Sequence, residues 1–124
     1  GQDNPINAAL NYGYGLLLSA FNREVTLNGY LPHIGIFHDN MFNPYNLSCD
    51  LMEPFRILTD KTVSEMQITD FGKDEKYKVT ELLHSTVTVN GYGQTVLNAV
   101  KIYTKSVFDA INDIDVSLIK FAEI

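Results

Sequence analysis

Apolar residues recur at steps of three and four from Ile6 through Ala9, Leu10, Gly13, Leu16, Leu17 and Ala20 to Phe21. That spacing is one face of a helix. Asn4 supplies a side-chain oxygen to cap it, and Pro5 suits the first helical position. Gly29 after Asn28 is a left-handed stop, so one long helix is predicted from Pro5 to about Asn28. Gly13 and Gly15 inside it each cost up to about 1 kcal/mol relative to Ala; their presence points to close approach of another backbone or helix.

From Tyr30 to Tyr45 the pattern changes, with Pro32, Gly35 and Pro44 interrupting a run of Ile, Phe, Met and Tyr. A segment this long and aromatic is expected to be a functional loop. A second helix is predicted over Leu47–Asp60, capped by Asn46 or Ser48 and kinked or restarted at Pro54. A short helix is expected within Lys61–Phe71, after Ser64. Gly72–Lys76 reads as an exposed turn, and Val79–His84 as one or two helical turns. Thr86 to Val96 alternates around Asn90-Gly91, the strongest two-residue hairpin signal. Leu97, Val100, Tyr103, Thr104, Val107, Phe108 and Ile111 form another helical stripe, whereas Val116–Ile124 gives no clear period. The fold class is therefore mainly α: one helical domain with one short β-hairpin around residues 86–96.

At 124 residues and 45% hydrophobic, the chain fits a single core. A lone cysteine, Cys49, excludes an internal disulfide framework and a multi-cysteine zinc site; beside Leu47 and Leu51 it reads as a packing residue. No apolar run reaches the roughly 18–20 residues of a membrane span. No basic start followed by an apolar stretch is present, so the reading is cytoplasmic and without a membrane partner. The net charge of -6 argues against a broadly basic nucleic-acid surface. Residues 1–60 hold two basic and six acidic residues, and residues 61–124 hold seven lysines against nine acids. Neither half carries a run of like charge.

The constellation with most chemistry is His38 with Asp50 and Glu53. Two carboxylates three residues apart share a helix face, and a loop imidazole meeting them makes a feasible Mg²⁺ or Mn²⁺ site. The competing interpretation is a histidine paired with a carboxylate beside ordinary surface acids. His33 and His38, five apart in a loop, have no metal-site specificity. Gly13-Tyr14-Gly15 lacks the third glycine of a dinucleotide fingerprint and lies inside a helix. Among the aromatic residues, Tyr12, Tyr14, Tyr30 and Tyr45 are candidate hydroxyl donors to a ligand.

Four ordered blocks carry a resemblance: NPINAALNYGYGLL (Asn4–Leu17), GYLPHIGIFH (Gly29–His38), FNPYNLSCDLMEPFR (Phe42–Arg56) and VTVNGYGQTVLNAVKIYTKSVFDAIN (Val87–Asn112). Together they resemble the CRISPR-associated spacer-acquisition integrase, most closely the helical catalytic domain of its type II form. The resemblance implies a metal-dependent DNA endonuclease and strand-transfer enzyme that inserts spacers into a CRISPR array. It carries a metal-ligand role onto His38 and Glu53. Asp50 matches a nearby family acid that the resemblance does not fix as a ligand. The family's other metal-binding glutamate, and its β-rich domain, precede the first block. Residues 1–124 are therefore expected to be the C-terminal catalytic part of a longer protein, inactive alone.

The resemblance further implies Mg²⁺ or Mn²⁺ as cofactor. Its implied partners are double-stranded prespacer and repeat DNA, a second copy of the full-length protein, and a small adaptation subunit. Arg56, one turn after Glu53, is a candidate to brace a carboxylate or a phosphate. Asn7 and Asn11 on the polar side of the first helix are candidates to line the same cleft. Lys101 and Lys105, one turn apart, are candidate backbone contacts. The alternative is a non-catalytic helical module for assembly or partner docking; a small-molecule hydrolase is a third reading that the block match disfavours.

Overall fold

The computed structural model describes residues 4–29 and 44–124. Most of the predicted aromatic loop, with His33 and His38, lies outside the described residues. The first helix, α1, is Pro5–Gly29. The Asn4 Oδ1 accepts from the N–H groups of Ile6 at 3.0 Å and Asn7 at 3.3 Å, so the expected cap is present.

The predicted second helix is two helices. α2 is Pro44–Met52, a 3-10 turn occupies Glu53–Phe55, and α3 is Arg56–Ser64. Pro54 sits at the start of the tight turn, where its missing N–H and ring interrupt a regular α-helix. Neither Asn46 nor Ser48 precedes α2: it starts at Pro44, and Ser48 is buried within it.

Two local expectations are corrected. The short helix expected within Lys61–Phe71 does not form, because Lys61–Ser64 belong to α3. There the Ser64 hydroxyl donates to the Lys61 carbonyl at 2.8 Å, and Met66 N–H bonds back only three residues, to Val63. These bonds tighten and end the helix. Conversely, Gly72–Lys76 is no exposed turn. It opens α4, Lys73–Thr80, with the Gly72 N–H donating to Glu75 Oε1 at 2.9 Å. Asp74 and Glu75 in the first turn complement the helix dipole. A 3-10 turn, Glu81–His84, follows.

The hairpin forms as predicted. β1, Thr86–Val89, pairs antiparallel with β2, Tyr92–Thr95, in the register Thr86↔Thr95 to Val89↔Tyr92. Asn90 and Gly91 take φ of 53° and 80°, the doubly positive backbone that an Asn-Gly hairpin turn requires. The tail adds what periodicity did not show. A 3-10 turn at Val116–Leu118 leads to a two-residue strand β3, Ala122–Glu123, which pairs with β1 on its other side. The sheet order is β2-β1-β3.

α5, Val96–Asp113, starts at Thr95, whose hydroxyl accepts from the Asn98 N–H at 3.1 Å. It packs on α1, which also meets α2, α3 and α4. The core is built from Leu17, Phe21 and Val25 of α1, Phe55, and Val96, Val100, Tyr103 and Phe108 of α5. No helix among the described residues is long and apolar enough to cross a membrane.

Candidate functional site

The break at Pro54 determines where Glu53 stands. Phe55, two residues on, is buried with its ring edge-on to Phe21 (5.1 Å between centroids) and stacked on Tyr103 (5.8 Å). Two helices, α1 and α5, thus clamp the 3-10 turn, while Glu53 stays on the outside with 61% of its side chain exposed. Asp50, one turn earlier, is also exposed. Asp50 belongs to the last turn of α2 and Glu53 opens the 3-10 turn, a spacing of three that makes the two carboxylates neighbours along the chain surface.

Arg56 completes a small charged network. Its N–H donates to the Glu53 carbonyl, and its Nη1 lies 3.3 Å from Glu53 Oε1. Its guanidinium carbon is 4.3 Å from the centre of the Tyr14 ring on α1, within cation–π range. The Tyr14 hydroxyl donates to Asp60 Oδ1 on α3. That hydrogen bond, with partial burial, lifts the Tyr14 phenol above its usual range, while Arg56 opposes the shift. Arg56 is held more firmly protonated by its contact with Tyr14 and by the Glu53 charge.

The other predicted residues are dispersed. Asn7 and Asn11 line a groove of about 400 Å³ with Asn4, Pro5, Ala8, Asp70 and Phe71; neither Asp50 nor Glu53 is in its lining. Lys101 borders a separate groove of about 350 Å³ between α1 and α5, with Arg23, Glu24 and Asn98. Lys105 pairs with Asp109 at 3.0 Å. Cys49 is half-buried on α2, and its hydrogen bond with Tyr45 pushes that phenol up. Of the candidate hydroxyl donors, Tyr14 is committed to Asp60 and Tyr12 sets its ring edge-on to Phe71 at 5.6 Å. His38 lies outside the described residues.

Among the described residues no three His, Cys, Asp or Glu side chains gather at metal-site distances. Asp50 and Glu53 nonetheless suit a hard divalent cation: both are exposed carboxylates, and Glu53 engages Arg56 through one oxygen. Sequence reasoning singled out Glu53 and Arg56 but missed Asp60 and the ring of Tyr14. The step of three and then four from Glu53 through Arg56 to Asp60 was a readable helical signal for the acid. Tyr14 is 46 positions from Asp60 in the chain, and only the packing of α1 on α3 reveals the contact.

A family model described as CRISPR associated protein Cas1 matches residues 1–94. A protein named CRISPR-associated endonuclease Cas1 from Neisseria meningitidis serogroup C (strain 8013) is 34% identical over 127 residues, covering 98% of this chain and 42% of that protein. A Cas1 endonuclease of Thermodesulfovibrio yellowstonii is 38% identical over 79 residues, covering 59% of this chain and 25% of the relative. One from Thermus thermophilus is 44% identical over 54 residues, covering 44% and 17%. The chain thus spans about two fifths of the length of the Neisseria protein, and less of the other two. With its family model matched over most of its length, the chain belongs to the Cas1 family of CRISPR-associated proteins.

Proposed function

We propose that this chain is the helical catalytic part of a longer, cytoplasmic, divalent-metal-dependent DNA endonuclease that joins new spacers into a CRISPR array. The observation that carries the proposal is the placement of Glu53. It is an exposed carboxylate on a turn locked into the core by Phe55, with a second carboxylate one turn away. The relatives named as CRISPR-associated endonucleases support the reaction class.

Glu53 and His38 are the proposed metal ligands, with Asp50 as the adjacent acid and a further carboxylate supplied from the upstream part of the longer protein. Mg²⁺ or Mn²⁺ held there supplies charge stabilisation at a phosphodiester and alignment of its attacking and leaving oxygens. The chain's own task is to hold the carboxylates still, and the clamp on Phe55 does so. Arg56 offers N–H donors to a phosphate beside Glu53. Asn7, Asn11, Lys101 and Lys105 belong to a wider proposed DNA surface. The proposed partners are prespacer and repeat duplexes, a second copy of the full-length protein and a small adaptation subunit.

The test is joining of a short duplex into repeat-containing DNA by the full-length protein with its small subunit, wild type beside Glu53→Gln. Joining that needs Mg²⁺ or Mn²⁺ and is lost in the variant supports the proposal. Absence of joining by wild type, or undiminished joining by Glu53→Gln, overturns it.

A second reading, a non-catalytic assembly module, has one observation in its favour. Ile111, Ile114 and Val116 are exposed around an apolar groove at the end of α5. Wild-type protein that forms its complexes yet joins no DNA is the outcome that selects it.

A further inference from the structure

Arg56 stands between two acids on its own stretch of chain, Glu53 three residues before it and Asp60 four residues after it. Both spacings put a carboxylate within reach of a guanidinium. The structure shows a choice: Nη1 pairs with Glu53 at 3.3 Å, and Asp60 instead accepts the Tyr14 hydroxyl. The Tyr14 ring lies under the guanidinium, 4.3 Å from its carbon. One residue of α1 thus touches both sides of the choice. Its hydroxyl occupies the competing acid, and its ring holds the arginine.

We propose that Tyr14 is a positioning residue for DNA binding, keeping Arg56 off Asp60 and beside Glu53, where the guanidinium receives a DNA phosphate oxygen. The inference rests on the reading that the Glu53 side of the chain faces DNA. The chemistry is consistent: a guanidinium carries five N–H donors, so with its carbon over the Tyr14 ring one donor can meet Glu53 while others meet a phosphate. An arginine drawn onto Asp60, one turn further along α3, would present those donors elsewhere.

The experiment is duplex-DNA affinity by fluorescence anisotropy on the full-length protein in Ca²⁺, which needs no turnover. Arg56→Gln is expected to weaken binding about three- to ten-fold, the loss of one charge-assisted contact. Tyr14→Phe keeps the ring but frees Asp60, and is expected to weaken binding roughly two- to five-fold, the size of an exposed cation–π or ion-pair preference. Adding Asp60→Asn to Tyr14→Phe is expected to restore affinity to that of the Asp60→Asn single variant. A merely structural role for Tyr14 gives no such rescue. In the Arg56→Gln background, Tyr14→Phe is expected to change nothing. The inference is overturned if Tyr14→Phe binds like wild type, if Asp60→Asn fails to rescue it, or if its effect persists without Arg56. Wild type that binds no duplex overturns the DNA-facing reading itself, and the inference with it.

Discussion

Gly13 of α1 faces Thr59 of α3 so closely that a Cβ at position 13 would lie 3.2 Å from the Thr59 Cβ, with the threonine methyl closer still. The glycine lets two helices touch, and Thr59 is fully buried at the contact. Gly13→Ala is therefore expected to destabilise by about 1–3 kcal/mol through overpacking, despite the better helix propensity of alanine. Thr59→Ala removes the clashing methyl together with a buried hydroxyl that has no hydrogen-bond partner. In that background the cost of Gly13→Ala is expected to fall below about 1 kcal/mol. Urea unfolding of the two single variants and the double variant checks the coupling. Additive effects would contradict it.

Ile114 ends α5 in the left-handed region, at φ 52° and ψ 48°, with Asp115 N–H bonded back to the Ala110 carbonyl at 2.9 Å. A β-branched residue suffers steric strain there, on the order of 1–2 kcal/mol. Its side chain is almost wholly exposed, so little packing compensates. Ile114→Gly is expected to stabilise by about 0.5–1 kcal/mol after the added unfolded-state entropy of glycine, read as a higher urea midpoint with an unchanged slope.

Two tyrosines make the fold sensitive to alkali. The Tyr14 phenol is raised mainly by its hydrogen bond to Asp60, and Tyr103 by burial against Phe55 and Phe21. Both hold their protons more tightly when folded than when unfolded. Their contribution is thus complete below the ordinary phenol value of 10.0 and is lost as pH rises through and beyond it. Melting temperatures measured from about pH 9 to 11 are expected to fall, and to fall less steeply in Tyr103→Phe. Equal slopes in both proteins would contradict the assignment to Tyr103.

How much of this was legible follows from the range of each interaction. α1, its Asn4 cap, the Asn90-Gly91 hairpin and α5 were readable because each depends on neighbours within a few residues. The break at Pro54 was readable for the same reason. The helix at Lys73–Thr80 was missed because its stretch is so polar that it shows no apolar stripe; its signal lay in Gly72 with Asp74 and Glu75. Strand β3 was missed because two residues have no measurable period and pair only through β1, more than thirty positions away. At the candidate site, the carboxylates were legible as spacing on a helix. The hold of Tyr14 on Arg56 and Asp60 was not, since it exists only once α1 packs on α3.

Ligation of a divalent cation by Glu53 and His38 is the core of the proposed function. Its most direct test is titration of the full-length protein with Mn²⁺, followed by electron paramagnetic resonance of the free ion, for wild type, Glu53→Gln and His38→Ala. One saturable site per chain is expected, weakened at least about ten-fold by either substitution. Mn²⁺ affinity that is the same in all three proteins would contradict it.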